Sequence, residues 1–332
     1  MPFRDRLRPV PETAVFDLPD RCVWGGTMAQ SDDGVCHLLF SCWPKSRGFQ
    51  AWVTHSEIGH ATADHPLGPY RFRDIVVAGR GGGGWDADVI HNPNMIRHEG
   101  RYYLYYNGNK GSGDWWEHRN NQRVGVAVAD HPAGPWERFD EPLLDVRPGK
   151  WDALITTNPA CTPTPDGRFL LIYKTVGEGP MPFGGQVVHG IAISDSPTGP
   201  FERYPYPVFT SGTEKFPAED PCAWCENGLF HAIVKDQHGS FTGKGLSLAH
   251  FTSADGIQWE PARDPFVTTP EIQWRNGNTE SIKRLERPQV WRRNGMPAVL
   301  FCAAMREGED DDSFNVHIPL QGLEESDDGG TA

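Results

Sequence analysis

ATADHPLGPYRF (residues 61–72), AVADHPAGPWERF (127–139) and AISDSPTGPFERY (191–203) are three copies of one phrase, and FTSADGIQWEPA (251–262) is a degenerate fourth. The pairs Gly68-Pro69, Gly134-Pro135 and Gly199-Pro200 recur after 66 and 65 residues. Each copy reads as strand, turn, strand, with an aromatic residue opening the second strand. Asp64, Asp130 and Asp195 stand where a side chain would cap that turn. A second phrase precedes each copy: HNPNMIRHEGRYYLYYNGN (91–109), TNPACTPTPDGRFLLIYKT (157–175), EDPCAWCENGLFHAIVKD (219–236) and ERPQVWRRNGMPAVLFCAA (286–304). Its prolines, Pro93, Pro159, Pro221 and Pro288, are 66, 62 and 67 residues apart. One period earlier, WGGTMAQSDDGVCHLLFSCW (24–43) keeps an Asp33-Gly34 turn without the proline.

Five units of about 65 residues fill the chain, each with two hairpins, hence four strands A to D. Radial repetition of a four-stranded antiparallel sheet is a β-propeller. A solenoid is the competing repeat architecture, but short β-solenoid repeats do not use two hairpins per unit. The expectation is an all-β, five-bladed propeller with little helix and A strands beginning near residues 24, 92, 158, 220 and 287. Blades should cover about 21–78, 86–145, 152–210, 216–268 and 284–320. Residues 1–320 then form a single domain, followed by an acidic tail at 321–332.

Composition agrees. Gly (37) and Pro (29) are abundant and aromatics reach 11%, which suits many short strands joined by turns. A net charge of −13 argues against a phosphate backbone or an anionic membrane surface as partner. No run approaches the ~18 apolar residues of a membrane span. The N-terminal stretch lacks the apolar core of a secretory signal. Seven scattered cysteines, an odd number, fit reduced thiols. A cytoplasmic location is therefore expected.

Topology then places chemistry. With strand A innermost, its start lines one mouth of the central channel. The B-strand ends, the B–C loops and the connectors between blades surround the same mouth. The residues falling there are Trp24, Asp88, His91, Asn92, Trp115, Asn158, Lys174, Glu219, Asp220, Lys235, Asp236, Glu286 and Arg287. The A–B turns at the opposite mouth read as plain Asp-Gly, Glu-Gly or Asn-Gly. Exposed aromatics stack on sugar rings, amides and charges bond to hydroxyls, and paired carboxyls cleave glycosidic bonds. Asp86 and Asp152 each follow a Trp and precede the X-Pro proline by seven residues, so the repeat marks them as structural.

With both phrases recurring, the chain resembles the five-bladed propeller glycosidases: glycoside hydrolase family 43 and its relatives, families 32, 62, 68, 117 and 130. The opening VWGGTMAQSDDG, with HNP and LERPQ later, is nearer to family 117-like or unclassified members than to typical arabinanases. The resemblance implies a general acid at Glu219, two residues before Pro221, with Asp220 as its neighbour and competitor. It also implies a general base at the first-blade strand start, where Trp24-Gly25-Gly26 stands instead, and a third carboxylate where this chain has Asn158. Glu286, Asp88 and Glu57 are the replacement carboxylates. Histidine acids, as the resemblance to family 117 suggests, keep His91 and His118 in view.

The expected function is an exo-acting, inverting glycoside hydrolase on a small oligosaccharide or glycoside, with Glu219, Asp220 and Glu286 as catalytic candidates. A glycoside phosphorylase, with Lys174, Lys235, Arg287 and Arg80 holding phosphate, and a non-catalytic sugar-binding propeller are the alternatives. No metal or cofactor is expected, although calcium on the channel axis would be compatible. The partner is a small carbohydrate, and the sequence does not specify an oligomeric state.

Overall fold

The structure, a computed structural model, describes residues 1–308 and 312–323. Its strands form five four-stranded antiparallel sheets and one two-stranded hairpin, Glu271–Gln273 with Thr279–Ser281. The A strands are Arg21–Gln30, Val89–His98, Ile155–Pro163, Ala218–Glu226 and Arg284–Arg293. They begin two or three residues ahead of the expected positions, because the X-Pro element sits inside the strand rather than at its head. Neighbouring A strands touch each other around the axis, so they line the channel.

Closure of the ring was not legible in the repeat. Blades one to four are each continuous in sequence, whereas the outer strand of blade five is Val15–Phe16 from the N-terminal segment. Val15 pairs with Val316 and Phe16 with Asn315. The Phe16 ring then crosses to blade one, edge-on to Phe40 at 4.8 Å and near Tyr70 at 6.5 Å. One strand thus joins the last blade to the first.

The core lies in the seams between blades. Leu39, Ile58 and Val77 of blade one pack with Ile90, Met95 and Leu104 of blade two, and similar clusters fill the later seams. In three blades an aromatic of strand B faces a glycine of strand C: Phe40 and Gly59, Tyr106 and Gly125, Tyr173 and Gly190. A Cβ on Gly125 would lie 2.4 Å from Trp85, and one on Gly190 2.3 Å from Tyr173, so the rings occupy the missing side chains' space.

Asp86 and Asp152 are buried latches. Asp86 accepts from Arg80 at 2.7 Å, Tyr106 at 3.0 Å and Arg138 at 3.4 Å. Asp152 repeats the pattern with Arg147, Tyr173 and Arg203. Each carboxylate ties the segment before its blade to that blade's B and D strands. Arg80, a phosphate-holding candidate in the sequence, is spent on this latch.

The turn of the recurring phrase is capped one residue later than expected. The His65 and His131 Nδ1 atoms and the Ser196 hydroxyl accept from backbone N–H groups two residues on. Asp64, Asp130 and Asp195 are exposed instead, and Asp130 pairs with Arg101. Of the expected tail, Leu323 packs against the core, and residues 324–332 lie outside the described residues.

Candidate active site

The site is built on a bulge repeated in all five A strands. Register slips at the same place in each blade: between Trp24 and Gly26, His91 and Asn94, Thr157 and Ala160, Glu219 and Cys222, and Glu286 and Gln289. The extra residue has positive φ every time: Gly25 (54°), Asn92 (55°), Asn158 (49°), Asp220 (56°) and Arg287 (54°). Gly, Asn and Asp tolerate this region, and in blades two to five the following proline has no N–H to continue the ladder. A bulge re-aims its side chain. Here the re-aimed side chains meet around the axis.

They form a chain of hydrogen bonds. Asn92 Nδ2 donates to Asn158 Oδ1 at 2.9 Å, and Asn158 Nδ2 donates to Asp220 Oδ1 at 2.7 Å. Arg287 Nη1 donates to the same Asp220 oxygen at 3.1 Å. Gly25 completes the ring with no side chain. A Cβ there would lie 3.3 Å from Arg287 Cβ, Cγ and Nε, so the arginine fills that place.

A second tier comes from the residues paired with the bulge on strand B. Lys174 pairs in register with Thr157, and Lys235 with Glu219. Each reaches the next blade: Lys174 bonds to Glu219 Oε1, and Lys235 Nζ lies 2.5 Å from Glu286 Oε1. Lys235 is also 3.5 Å from Glu219 Oε2, which accepts from Gln237 at 2.9 Å. Arg284 Nη1 donates to Glu286 Oε1 at 3.2 Å, so both of that carboxylate's cations fall on one oxygen.

Electrostatics separate the neighbouring carboxyls. Burial alone would raise Glu219, but Lys174, Lys235 and Arg287 outweigh it and hold this carboxyl below the usual range. Burial, then Glu219 and Glu286, push Asp220 up against the opposing pull of Arg287. Two adjacent residues are thereby set to opposite protonation tendencies. His91 is buried and pushed down to about 3 by desolvation, Arg287 and Lys174. These surroundings favour its neutral form.

These groups line one cavity of about 280 Å³, with an aromatic wall of Trp24, Phe49, Trp52 and Trp115. Trp52 lies 5.1 Å from the His91 ring and 5.9 Å from Trp115. Of the residues expected at this mouth, Trp24, His91, Asn92, Trp115, Asn158, Lys174, Glu219, Asp220, Lys235, Glu286 and Arg287 come together here.

Asp88 and Asp236 are not among the cavity's lining residues. Asp88 accepts from the Gly111 amide, and Asp236 accepts from four successive amides, Gly239 to Thr242. Their oxygens organise loops. His118 likewise bonds Asn109 through Nδ1 and accepts from the Gly113 amide through Nε2. Glu57 pairs with Arg21.

Sequence reasoning missed Phe49, Trp52, Gln122 and Arg284. The available signal for the first two was the aromatic stretch GFQAWVTH (48–55) in the first B–C loop. The opposite mouth is less plain than expected, since a cavity of about 420 Å³ is lined there by Arg97, Trp291, Arg292 and Arg293. Among the described residues that line it there is no carboxylate, which preserves the chemical difference between the two ends.

Fold and cavity together define a five-bladed propeller with a carboxylate- and lysine-rich mouth. No family model matches the chain, and no curated protein matches it. Solved structures do. A family 117 glycoside hydrolase of the marine bacterium Zobellia galactanivorans matches with a TM-score of 0.66 and 20% identity, over 97% of this chain and 90% of that one. A thermostable family 43 glycoside hydrolase matches at 0.64 and 11%, covering 96% of each chain. An α-L-arabinanase of Cellvibrio cellulosa matches at 0.58 and 13%, over 91% of this chain and 92% of that one. At these identities the likeness establishes the shared propeller fold.

Proposed function

We propose that the chain is an exo-acting, inverting glycoside hydrolase acting on a small glycoside at this mouth. The observation that carries the reading is the meeting of Glu219, Asp220 and Glu286 in one small cavity, the first two adjacent in sequence and shifted in opposite directions by their surroundings. The small cavity, below the roughly 300–1,000 Å³ common for ligand pockets, suits the end of a sugar chain rather than its middle. Glycoside hydrolases among the structural matches support the reaction class.

The roles follow from the environments. Asp220, the carboxyl whose hold on a proton is strengthened by burial and by Glu219, donates to the leaving oxygen as the C1–O bond breaks. Glu286, with its cations on Oε1, takes a proton through Oε2 from the water that attacks C1. Glu219 is saturated by Lys174, Gln237 and Lys235, so it positions the lysines and raises Asp220. The implied acid therefore moves from Glu219 to its neighbour.

Asp220→Asn should cost ~10²–10⁴-fold in turnover of glycosides with poor leaving groups, and much less with 2,4-dinitrophenyl leaving groups. Glu286→Gln should slow both alike, and NMR should show the inverted anomer released first. Turnover within about tenfold of wild type in both variants would remove the assignment. Phosphorolysis is the second reading, favoured by Lys174, Lys235, Arg284 and Arg287 facing only three carboxylates. A requirement for phosphate would select it.

A further inference from the structure

A row of aromatic rings leaves the cavity through its wall. Trp52 and Trp115, which line it, are 5.9 Å apart; Trp116 follows Trp115 at 4.8 Å, and Phe183 follows Trp116 at 4.8 Å. DWWEHRN (114–120) builds the middle of the row. It forms the helix Trp115–Asn120 between strands B and C of blade two, where Asp114 Oδ1 caps the first turn by accepting from the Glu117 amide at 2.9 Å. The B–C loop of blade three brings Phe183 to that helix. Arg119 Nη1 donates to the Phe183 carbonyl at 3.0 Å, and Asn120 Nδ2 donates to the Pro182 carbonyl at 3.1 Å. Phe183 and Met181 are large and apolar, yet 60% and 64% exposed. Apolar surface left open and continuous with a cavity marks a contact site.

We propose that the Trp115–Trp116–Phe183 row is the leaving-group subsite and takes a planar aromatic aglycone, so that the substrate is an aryl glycoside. This inference rests on the reading of the cavity as a glycosidase site. In an inverting displacement the water oxygen bonds to C1 from the face opposite the departing oxygen, giving a proton to Glu286, while the aglycone oxygen leaves with the proton of Asp220. Glu286 belongs to blade five, and in a ring of five blades the place opposite blade five is the seam between blades two and three. The row crosses that seam where Trp116 meets Phe183. Polar groups beside the row are already engaged: Trp115 Nε1 donates to Gln50 O at 3.1 Å, and Arg119 Nη1 also bonds Asn120 Oδ1 at 2.8 Å. A second sugar there would give up water around its hydroxyls without gaining partners, whereas an aryl ring has none to satisfy. The successive rings are inclined by 88°, 80° and 70°, so they offer faces and edges to a flat ring rather than one level platform for a saccharide.

The test compares wild type with Phe183→Ala and Trp116→Ala. A panel of 4-nitrophenyl glycosides first identifies the sugar accepted. The 2-naphthyl glycoside and the fluoride of that sugar are then assayed with each protein. The fluoride carries no aglycone, and the reactivity of each leaving group is the same for every variant. Both variants should lower kcat/KM for the naphthyl glycoside at least about tenfold more than for the fluoride, chiefly through KM. Isothermal titration with 2-naphthol, cellobiose and xylobiose adds a readout that needs no turnover. Wild type should bind 2-naphthol at least about tenfold more tightly than either disaccharide, and Phe183→Ala, at an exposed position where folding is not at stake, should lose that preference.

Equal losses on the naphthyl glycoside and the fluoride overturn the subsite. Disaccharides bound as tightly as 2-naphthol, and released by the same variants, overturn the aromatic aglycone in favour of a second sugar. Binding of 2-naphthol that Phe183→Ala removes, in a chain that hydrolyses no glycoside of the panel, overturns the glycosidase reading and leaves the row as an aromatic-binding site.

Discussion

Glu219 and Asp220 show how little side-chain chemistry is fixed by residue type. Both are carboxylic acids, one peptide apart, yet one faces two lysines and the other shares an oxygen between an amide and an arginine. Their stability contributions should run in opposite directions with pH. Asp220, raised in the folded state, contributes stability that is full below the unfolded value of about 3.9 and lost as pH rises through its own higher value. Glu219, depressed, contributes stability present above about 4.3 and lost as pH falls through its own lower value. Urea midpoints of Glu219→Gln should therefore lose part of the acid limb, while those of Asp220→Asn should lose part of the decline above about pH 4. An unchanged acid limb in Glu219→Gln would contradict the charge environment described.

Each blade is held by devices that recur because the hairpins recur. The aromatic–glycine pairs let a B-strand ring lie flat over strand C, where any Cβ would strike it. Gly125→Ala should cost at least ~1–3 kcal/mol, since Trp85 and Tyr106 are rigid and stacked at 5.7 Å. Gly83→Ala meets nothing within 4 Å, so it should stay within about 0.5 kcal/mol of wild type. Differential scanning calorimetry of the two variants separates them. The Asp152 latch makes a parallel case: Arg203→Met removes one of its three partner side chains and should cost ~1–3 kcal/mol, read as a lower denaturant midpoint.

The ring as a body depends on its closing strand. Phe16 pairs through its backbone with blade five and packs its ring on blade one, so its loss acts on the seam joining the chain's two ends. Phe16→Ala should cost ~3–5 kcal/mol, as for other buried aromatics. Phe139→Ala, at a ring already 44% exposed, should cost far less in the same thermal-unfolding comparison. A Phe16→Ala melt indistinguishable from wild type would mean that the ring does not rely on this strand.

The repeat made the blade count and the hairpin order readable, because each depends on residues within one unit of about 65, whereas the bulge at the X-Pro element, read from the sequence as a strand start, emerged only in the paired strands. Strand and turn preferences act over a few neighbours, and copying the unit five times amplifies the signal. The residues reaching one mouth were legible for the same reason, since strand direction alone sends every A-strand start to the same end. What each residue does there was decided by tertiary structure. Asp236 looks as suitable for substrate as Asp220 until four amides of its own loop claim it. Gly25 and Arg287 are 262 residues apart, and only closing the ring sets the guanidinium into the space the glycine leaves. Protonation is likewise a property of the assembled mouth, because burial and the charges of three blades combine there only when the ring is shut.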